Sequence, residues 1–258
     1  MRVLFLGSGA IAEQCLLLLL DRFRHSHSLV GLVAPAALLW YLSPMDTQAE
    51  HTAVLEIDAN DRREPELLEM ISTVRPDVLV SVQYPWILSG DVLRWMGGRV
   101  ANLHNARLPD YRGHHAISHE ILNGECRHTV TLHWMAEEVD RGLEIDTESR
   151  PIHPEDTAYS IWRRSVDACV TLFGRFLEDT RAAIPTVVGR PIPAGGRFFS
   201  RQGIQAAKRI PNGATPADID RISRAFCFPP HEPAFIEYEG RKLYVLPFQY
   251  RYEIADPQ

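Results

Sequence analysis

The sequence has few cysteines, no long apolar run and no surplus of basic residues. None of its four cysteines lies in a C-x-x-C pair, which speaks against a disulfide framework and favours free thiols in a reducing cytoplasm. They are Cys15, Cys126, Cys169 and Cys227. No stretch approaches the roughly 18 apolar residues that a membrane-spanning helix needs. The formal net charge of −6 is unlike that of a dedicated nucleic-acid binder. We therefore expect a cytoplasmic protein with neither a membrane nor a nucleic acid as its partner.

The apolar N-terminus superficially resembles a secretion signal. Gly7-Ser8-Gly9 and Glu13-Gln14 interrupt the apolar residues, which a signal peptide tolerates poorly. A buried strand followed by a helix is the better prediction for this segment.

The first 150 residues alternate predicted strands with predicted helices. Near-continuous apolar segments such as Val78–Val82 are typical of strands that are buried on both faces of a parallel sheet. Strands are predicted over Arg2–Leu6, Leu29–Val33, Val54–Ile57, Val78–Val82, Arg99–Leu103, Thr129–Met135 and Glu144–Arg150, and helices over Ile11–Phe23, Glu64–Val74, Gly90–Met96 and Ala116–Asn123. This alternation predicts an α/β fold with a doubly wound, mostly parallel sheet.

The C-terminal third differs from the rest of the chain in composition. After a predicted long helix over residues 157–181, residues 184–214 hold five basic residues and no acidic one. A short helix is predicted from Thr215 to about Phe226, and a β-hairpin over Ala234–Tyr238 and Lys242–Leu246. We predict a catalytic domain over residues 1–183 and a small α+β appendage over residues 184–258. The aromatic hairpin either forms a homodimer or packs back onto the catalytic domain.

Two short motifs suggest ligands but are better explained by structure. Gly7-x-Gly9 follows the first strand without the third glycine of a dinucleotide fingerprint, so a tight turn is the preferred interpretation. His114, His115 and His119 lack a metalloenzyme pattern, and we predict no metal.

Three side chains of different chemistry stand at fixed offsets. Asn102 and His104 occupy alternate positions at the C-terminal end of a predicted buried strand, where ligands bind in open α/β sheets. Asp140 lies in a D-x-G turn further along. An amide can donate to an oxyanion, an imidazole can move a proton near neutral pH, and a carboxylate can orient that imidazole. The set indicates acyl transfer without a covalent enzyme intermediate.

The surrounding motifs carry a family resemblance over roughly residues 76–170. They are Asn102-Leu103-His104, Leu108–Gly113, Thr131–Met135 and Asp140–Ile145. As a set they resemble the motifs of the folate-dependent formyltransferases, which include glycinamide ribonucleotide, methionyl-tRNA and nucleotide-sugar enzymes. Gly196–Arg201 and Arg224–Ala234 resemble segments of the nucleotide-sugar N-formyltransferases, with His231 in place of the usual Tyr.

The resemblance implies transfer of a formyl group from N10-formyltetrahydrofolate, as co-substrate, to the primary amine of a nucleotide-linked amino sugar. It also implies a role in lipopolysaccharide O-antigen assembly. The cysteines and the aromatic hairpin add the expectation of a cytoplasmic homodimer. Asn102 would donate to the formyl oxygen, His104 would accept the amine's proton or help to stabilise the oxyanion, and Asp140 would orient His104. Expected folate-binding residues are Gln83, Tyr84, Trp86, Ile87, Leu88, Val139 and Asp140. Expected acceptor-binding residues are Tyr111, Arg112, Gly113, Arg197, Phe198 and Arg201.

Three other functions compete with this interpretation. Formylation of a small amine such as hydroxyornithine, in siderophore or natural-product assembly, is the nearest alternative. Formylation of methionyl-tRNA calls for a larger RNA-binding domain than the roughly 70 residues after the long helix. A non-enzymatic nucleotide-binding domain is disfavoured by the intact Asn102, His104 and Asp140 set.

Overall fold

The computed structural model describes residues 1–39, 52–57 and 63–248. Contacts divide the chain into two compact units. Unit 1 comprises Met1–Asn105, Val130–Glu148 and Val166–Pro193, and unit 2 comprises Ala106–Thr129, Ser149–Ser165 and Ala194–Gln258. Each unit therefore draws on three chain segments, whereas the predicted boundary after residue 183 is a single cut. Residues 1–183 and 184–258 as separately folding domains remain a prediction.

The strands and helices follow the predicted order closely. The strands are β1 Arg2–Gly7, β2 Ser28–Ala34, β3 Ala53–Glu56, β4 Val78–Val82, β5 Val100–His104, β6 Tyr111–Gly113, β7 Arg127–Met135, β8 Gly142–Pro151, β9 Arg190–Pro191, β10 Arg197–Phe199, β11 Ala234–Tyr238 and β12 Arg241–Val245. The helices are α1 Gly9–Asp21, α2 Ala36–Leu39, α3 Glu64–Val74, α4 Gly90–Trp95, α5 Ala116–Leu122, α6 Ala158–Asp179, α7 Ile204–Ala207 and α8 Pro216–Ala225. The short elements β6, β9, β10, α2 and α7 were not predicted.

An eight-stranded sheet with the order β3-β2-β1-β4-β5-β7-β8-β9 organises the fold. Strands β1 to β5 pair in parallel, whereas β5 pairs with β7 in antiparallel register. The chain reverses strand order on either side of β1, which is the doubly wound arrangement. The predicted α/β fold with a mostly parallel sheet is confirmed.

Unit 1 has its core on both faces of the sheet. Every residue of β4 is buried, as the continuous apolar run predicts. The β1–α1 turn needs its glycines for geometric reasons, because a Cβ on Gly7 would lie 2.7 Å from the Ala12 Cβ and Gly9 has a φ of +72°. The Gly7-x-Gly9 motif is therefore a tight strand-to-helix turn.

Unit 2 has a separate apolar core. Buried side chains of α5, α8 and β11 form it, among them Ile121, Ala225 and Ala234, together with Ile161 and Ile204. Thr215 caps α8, because its hydroxyl accepts from the Asp218 N–H and the Asp218 carboxylate accepts from the Thr215 N–H. Strands β11 and β12 pair in antiparallel register as the predicted hairpin.

Candidate active site

Strand β5 places two predicted catalytic side chains at its C-terminal end. Asn102 and His104 alternate with the buried Ala101 and Leu103, so both project from the same face. Across the antiparallel pair, Asn102 stands opposite His133 of β7. The expectation that Asn102 and His104 face one site from a strand end agrees with this register.

Asp140 reaches the same site from the β7–β8 turn. The turn is tight, since Asp140 has a φ of +54° and Gly142 a φ of +121°. A Cβ on Gly142 would lie 1.9 Å from the Trp134 carbonyl oxygen, so only glycine fits there. The turn brings Asp140 Oδ1 to 3.5 Å from His104 Nδ1, and the two side chains are 11% and 13% exposed. The carboxylate can thus orient the imidazole while both stay open to a small substrate.

His133 completes this cluster, although the sequence did not mark it as a site residue. Its Nε2 lies 3.1 Å from Asn102 Nδ2, and its Nδ1 lies 3.3 Å from the Trp134 carbonyl oxygen and 3.2 Å from that of Arg141. Burial, and next the nearby His104, lower the pKa of His133 to about 4, whereas Asp140 acts in the opposite direction. His133 is therefore neutral near pH 7. Its only sequence signal is the Thr-x-His-x-Met motif.

The predicted folate-binding segment lies beside α3 and α4 in unit 1. Tyr84, Trp86, Ile87 and Leu88 line one small cavity with Leu67 and other side chains of these helices. Ile87 is 65% exposed, and the buried indole N–H of Trp86 has no hydrogen-bond partner among the described residues. An apolar wall with one polar donor is typical of sites for flat ring systems.

Gln83 and Val139, two further predicted folate-binding residues, do not line this cavity and lie in two different loops. Gln83 follows β4 with a φ of +52°, and its carbonyl oxygen accepts from the Ser8 hydroxyl at 2.5 Å. Val139 is half-buried in the same turn as Asp140. Roles in binding folate remain predictions for all seven residues.

Unit 2 brings together the predicted acceptor-binding residues. Strands β6 and β10 pair in parallel, with Arg197 opposite Tyr111 and Phe198 opposite Arg112. The Cβ that Gly113 lacks would lie 2.3 Å from the Phe199 carbonyl oxygen, so glycine permits this close pairing. No local pattern in the sequence predicts that the two segments pair.

Polar and cationic contacts hold this pair of strands. The Arg197 guanidinium lies 5.6 Å from the centroid of the Tyr111 ring, and the Tyr111 hydroxyl donates to Glu125 at 2.7 Å. Arg107 donates to the same carboxylate at 3.0 Å. Arg201 follows β10 as an exposed residue. The guanidiniums and rings suit a phosphate and a base.

One of the three histidines beside this pair of strands stacks on an aromatic ring. His119 stacks on Phe199 with the ring centroids 3.8 Å apart. Burial, then the nearby His115 and Arg197, lower the pKa of His119 to about 4. Over residues 1–39, 52–57 and 63–248, no three side chains of His, Cys, Asp or Glu form a group that could hold a metal ion. That the protein binds no metal remains a prediction.

An amide donor beside an imidazole–carboxylate pair, at a strand end of a doubly wound sheet, defines an enzyme site suited to acyl transfer. The family comparison agrees with that class. A model described as formyl transferase matches residues 1–176, and the chain therefore belongs to the formyl transferase family. The predicted folate-dependent formyltransferase resemblance is confirmed.

Curated relatives include two kinds of formyltransferase. The GDP-perosamine N-formyltransferase of Brucella melitensis is 27% identical over 188 residues, which is 70% of this chain and 68% of the relative. The methionyl-tRNA formyltransferase of Acidothermus cellulolyticus is 26% identical over 264 aligned residues, which is 100% of this chain and 78% of the relative.

Solved structures share the fold over nearly the whole chain. A likely sugar N-formyltransferase of Mycobacterium tuberculosis matches with a TM-score of 0.73 and 17% identity, covering 95% of this chain and 96% of that one. An N-formyltransferase of Helicobacter canadensis, solved with folinic acid and dTDP-3-aminofucose, matches with a TM-score of 0.62 and 20% identity, covering 94% of this chain and 86% of that one.

Proposed function

We propose that this enzyme moves the formyl group of N10-formyltetrahydrofolate to the primary amine of a nucleotide-linked amino sugar. The observation that carries the proposal is the Asn102, His104 and Asp140 cluster, in a chain of the formyl transferase family. The similarity to a GDP-perosamine enzyme, and to a fold solved with folinic acid and dTDP-3-aminofucose, supports the nucleotide-linked amino sugar as acceptor.

The proposed reaction uses each of the three side chains once. The neutral amine nitrogen attacks the formyl carbon, a new C–N bond forms, and the C–N10 bond of the folate breaks as N10 takes up a proton. The products are a formamide and tetrahydrofolate. Asn102 donates to the formyl oxygen while negative charge builds there. His104 accepts the proton that the amine loses or helps to stabilise the oxyanion, and Asp140 orients its ring.

We extend the proposal to the two substrate sites. The folate lies against Tyr84, Trp86, Ile87 and Leu88, with Gln83, Val139 and Asp140 beside it. The acceptor's diphosphate binds Arg197 and Arg201, its base stacks on Phe198, and Tyr111, Arg112 and Gly113 shape the sugar site. The segment Arg224–Pro233 contributes further contacts to the acceptor.

We also propose a homodimer that forms through the β11–β12 hairpin. One part of the hairpin packs into the core of unit 2 through Ala234 and Val245. Leu243 and Tyr244 remain 53% and 56% exposed, and Tyr238 is 62% exposed. By the alternation of side chains along each strand, Tyr238 and Leu243 lie on one face of the hairpin and Tyr244 lies on the other. Exposed apolar side chains on a two-stranded sheet favour association with a second copy.

Point variants test the dimer better than truncation, because removing residues after Pro233 would also remove part of the core of unit 2. Leu243→Lys with Tyr244→Lys should halve the mass that light scattering measures at micromolar concentration. Ile184→Lys, at a 53% exposed apolar side chain outside the hairpin, is the matched control. A wild-type monomer would refute the dimer.

We extend the proposal to a cytoplasmic location and a biological role. All four cysteines are free, which agrees with a cytoplasmic location. No helix of the described part of the chain is long and apolar enough to cross a membrane. A role in lipopolysaccharide O-antigen assembly rests only on the resemblance to nucleotide-sugar enzymes.

An acceptor panel tests the proposed function. The purified enzyme is incubated with N10-formyltetrahydrofolate and, separately, GDP-perosamine, dTDP-3-aminofucose, hydroxyornithine or methionyl-tRNA. We expect an amino-sugar nucleotide to gain the mass of one formyl group, and the corresponding sugar nucleotide without an amine to remain unchanged. Formylation of hydroxyornithine or methionyl-tRNA, with the amino-sugar nucleotides unmodified, would overturn the proposal.

A further inference from the structure

We infer that His133 is a positioning residue that fixes which edge of the Asn102 amide faces the formyl oxygen. This inference deepens the proposed function and rests on Asn102 as the oxyanion donor. An amide can be rotated so that its oxygen and nitrogen exchange places, and only the nitrogen can donate to an oxyanion. The site therefore needs a group that holds the amide in the donating orientation.

The register of the β5–β7 pair places His133 beside the Asn102 amide. Asn102 and His133 are direct partners in the antiparallel β5–β7 pair, so their side chains project from the same face of the sheet. His133 is only 1% exposed, which leaves its ring little freedom to turn. Its Nε2 contacts Asn102 Nδ2 at 3.1 Å.

The backbone around the ring determines its tautomer. The carbonyl oxygens of Trp134 and Arg141 lie 3.3 Å and 3.2 Å from Nδ1, and a carbonyl oxygen can only accept a hydrogen bond. The proton of the neutral ring therefore resides on Nδ1, and Nε2 is left as an acceptor.

The charged and titratable groups around His133 keep it in this state. His104 faces it from β5 and lowers its pKa, as burial does, while Asp140 raises it from the β7–β8 turn. A protonated ring would present an N–H to Asn102 at Nε2 and would attract the amide oxygen instead of the nitrogen. The neutral ring is thus a requirement for the donating orientation.

The consequence for Asn102 is specific. One amide N–H donates to His133 Nε2, and the second remains for the formyl oxygen. Without the acceptor at Nε2, the amide loses its preference between the two orientations, and the oxyanion meets a donor only part of the time. His133 therefore acts on kcat through Asn102 and contacts neither substrate.

A double-mutant cycle with the acceptor found in the panel tests this coupling. We expect His133→Leu to lower kcat about thirtyfold, below the ~10²–10³ typical of deleting an oxyanion donor. The KM values for folate and acceptor should change by less than about twofold. In an Asn102→Ala background, the same change should lower kcat by less than about threefold, because the coupled group is already gone. An equal loss in both backgrounds would overturn the inference.

Two variants separate positioning from damage to the fold. The side-chain oxygen of Gln can accept near the place of Nε2, so His133→Gln should recover kcat to within about fivefold of wild type. His27→Leu replaces another buried histidine of unit 1, which contacts Thr180, and should leave kcat unchanged. A Gln variant as impaired as the Leu variant, or a loss of kcat in His27→Leu, would refute the positioning role.

A spectroscopic measurement separates this inference from the proposed function, because it needs no turnover. In nitrogen-15-labelled enzyme, the resonances absent from His133→Gln identify His133. We expect a neutral ring protonated at Nδ1 at neutral pH, with an Nε2 resonance that moves in Asn102→Ala. An Nε2–H tautomer or an imidazolium would overturn the inference, even in an enzyme that formylates the acceptor. A panel without any formylated amine would instead refute the proposed function.

Discussion

The imidazole of His104 and the carboxylate of Asp140 lie 3.5 Å apart, between Nδ1 and Oδ1. His104 comes from the end of a buried strand, and Asp140, 36 residues further along the chain, comes from the β7–β8 turn. Since both side chains are nearly buried, the carboxylate can hold the imidazole in one ring orientation.

Removing either partner should therefore impair catalysis more than folding. We expect His104→Ala and Asp140→Asn each to lower kcat by about 10²–10⁴, the usual range for a lost acid–base group. Steady-state kinetics and a thermal melt on each purified variant measure the two effects. A His104→Ala enzyme with nearly wild-type kcat would contradict the mechanism.

The turn that carries Asp140 should not tolerate a side chain at position 142. Gly142→Ala should lower the free energy of unfolding and kcat, because its Cβ would overlap the Trp134 carbonyl oxygen. Gly124→Ala is the matched control, at a φ of +69° with open space around it, and should cost only about 1–2 kcal/mol of backbone strain. Urea denaturation compares the two, and equal losses would show that the overlap is relieved without consequence.

The basic residues of unit 2 should affect acceptor binding alone. We expect Arg197→Gln and Arg201→Gln to raise the KM for the acceptor about tenfold each, and to leave the KM for folate unchanged. Arg221→Gln removes an exposed guanidinium of α8 that pairs with Asp218, and serves as the control. Acceptor KM values that do not change in either variant would contradict the proposed phosphate contact.

The free energy of unfolding should decrease as the pH is lowered through the range in which the buried His27 titrates. Burial first, then the positive charges of the N-terminus and Arg181, lower the pKa of His27 from 6.5 to about 4. As the pH falls below 6.5, the unfolded chain takes up a proton at this position before the folded protein does, so the free energy of unfolding decreases until about pH 4. Above pH 6.5 the contribution is fully present.

A comparison with His27→Leu isolates this contribution. The difference in unfolding free energy between wild type and variant should shrink as the pH falls through the window, because only the wild type has the titrating group. Chemical denaturation at several pH values measures it. A difference that does not depend on pH would contradict the assigned cause.

The sequence predicts most of the sheet, and it selects Asn102, His104 and Asp140 as candidates whose catalytic roles remain predictions. Continuous apolar runs such as Val78–Val82 predict buried parallel strands, and the alternation of Asn102 and His104 predicts that they share a face. Such patterns can be recognised in the sequence because they depend only on the two-residue alternation of side chains along a strand.

Long-range pairing was beyond the same reasoning. The contact of His133 with Asn102 follows from a cross-strand register, which no local pattern records. The pairing of β6 with β10 joins three-residue strands that are far apart in sequence, and the glycine that permits it, Gly113, does not indicate the partner strand. Contacts of this kind depend on tertiary packing.

The rate of formyl transfer should rise with pH because the attacking amine must be neutral. We expect kcat/KM to increase from about pH 6 to about pH 9 with the acceptor found in the panel. Rate measurements across this range test the requirement, and a flat profile would speak against proton loss from the amine before or during attack.

The fate of the formyl carbon is the most direct test of the central claim. In a single turnover with N10-formyltetrahydrofolate labelled at the formyl carbon, enzyme in excess and an amino-sugar nucleotide present, we predict that the label appears as a formamide on the sugar. Asn102→Ala should slow its appearance without changing the product. Label recovered only as free formate, with the sugar amine unmodified, would show transfer to water and contradict the account.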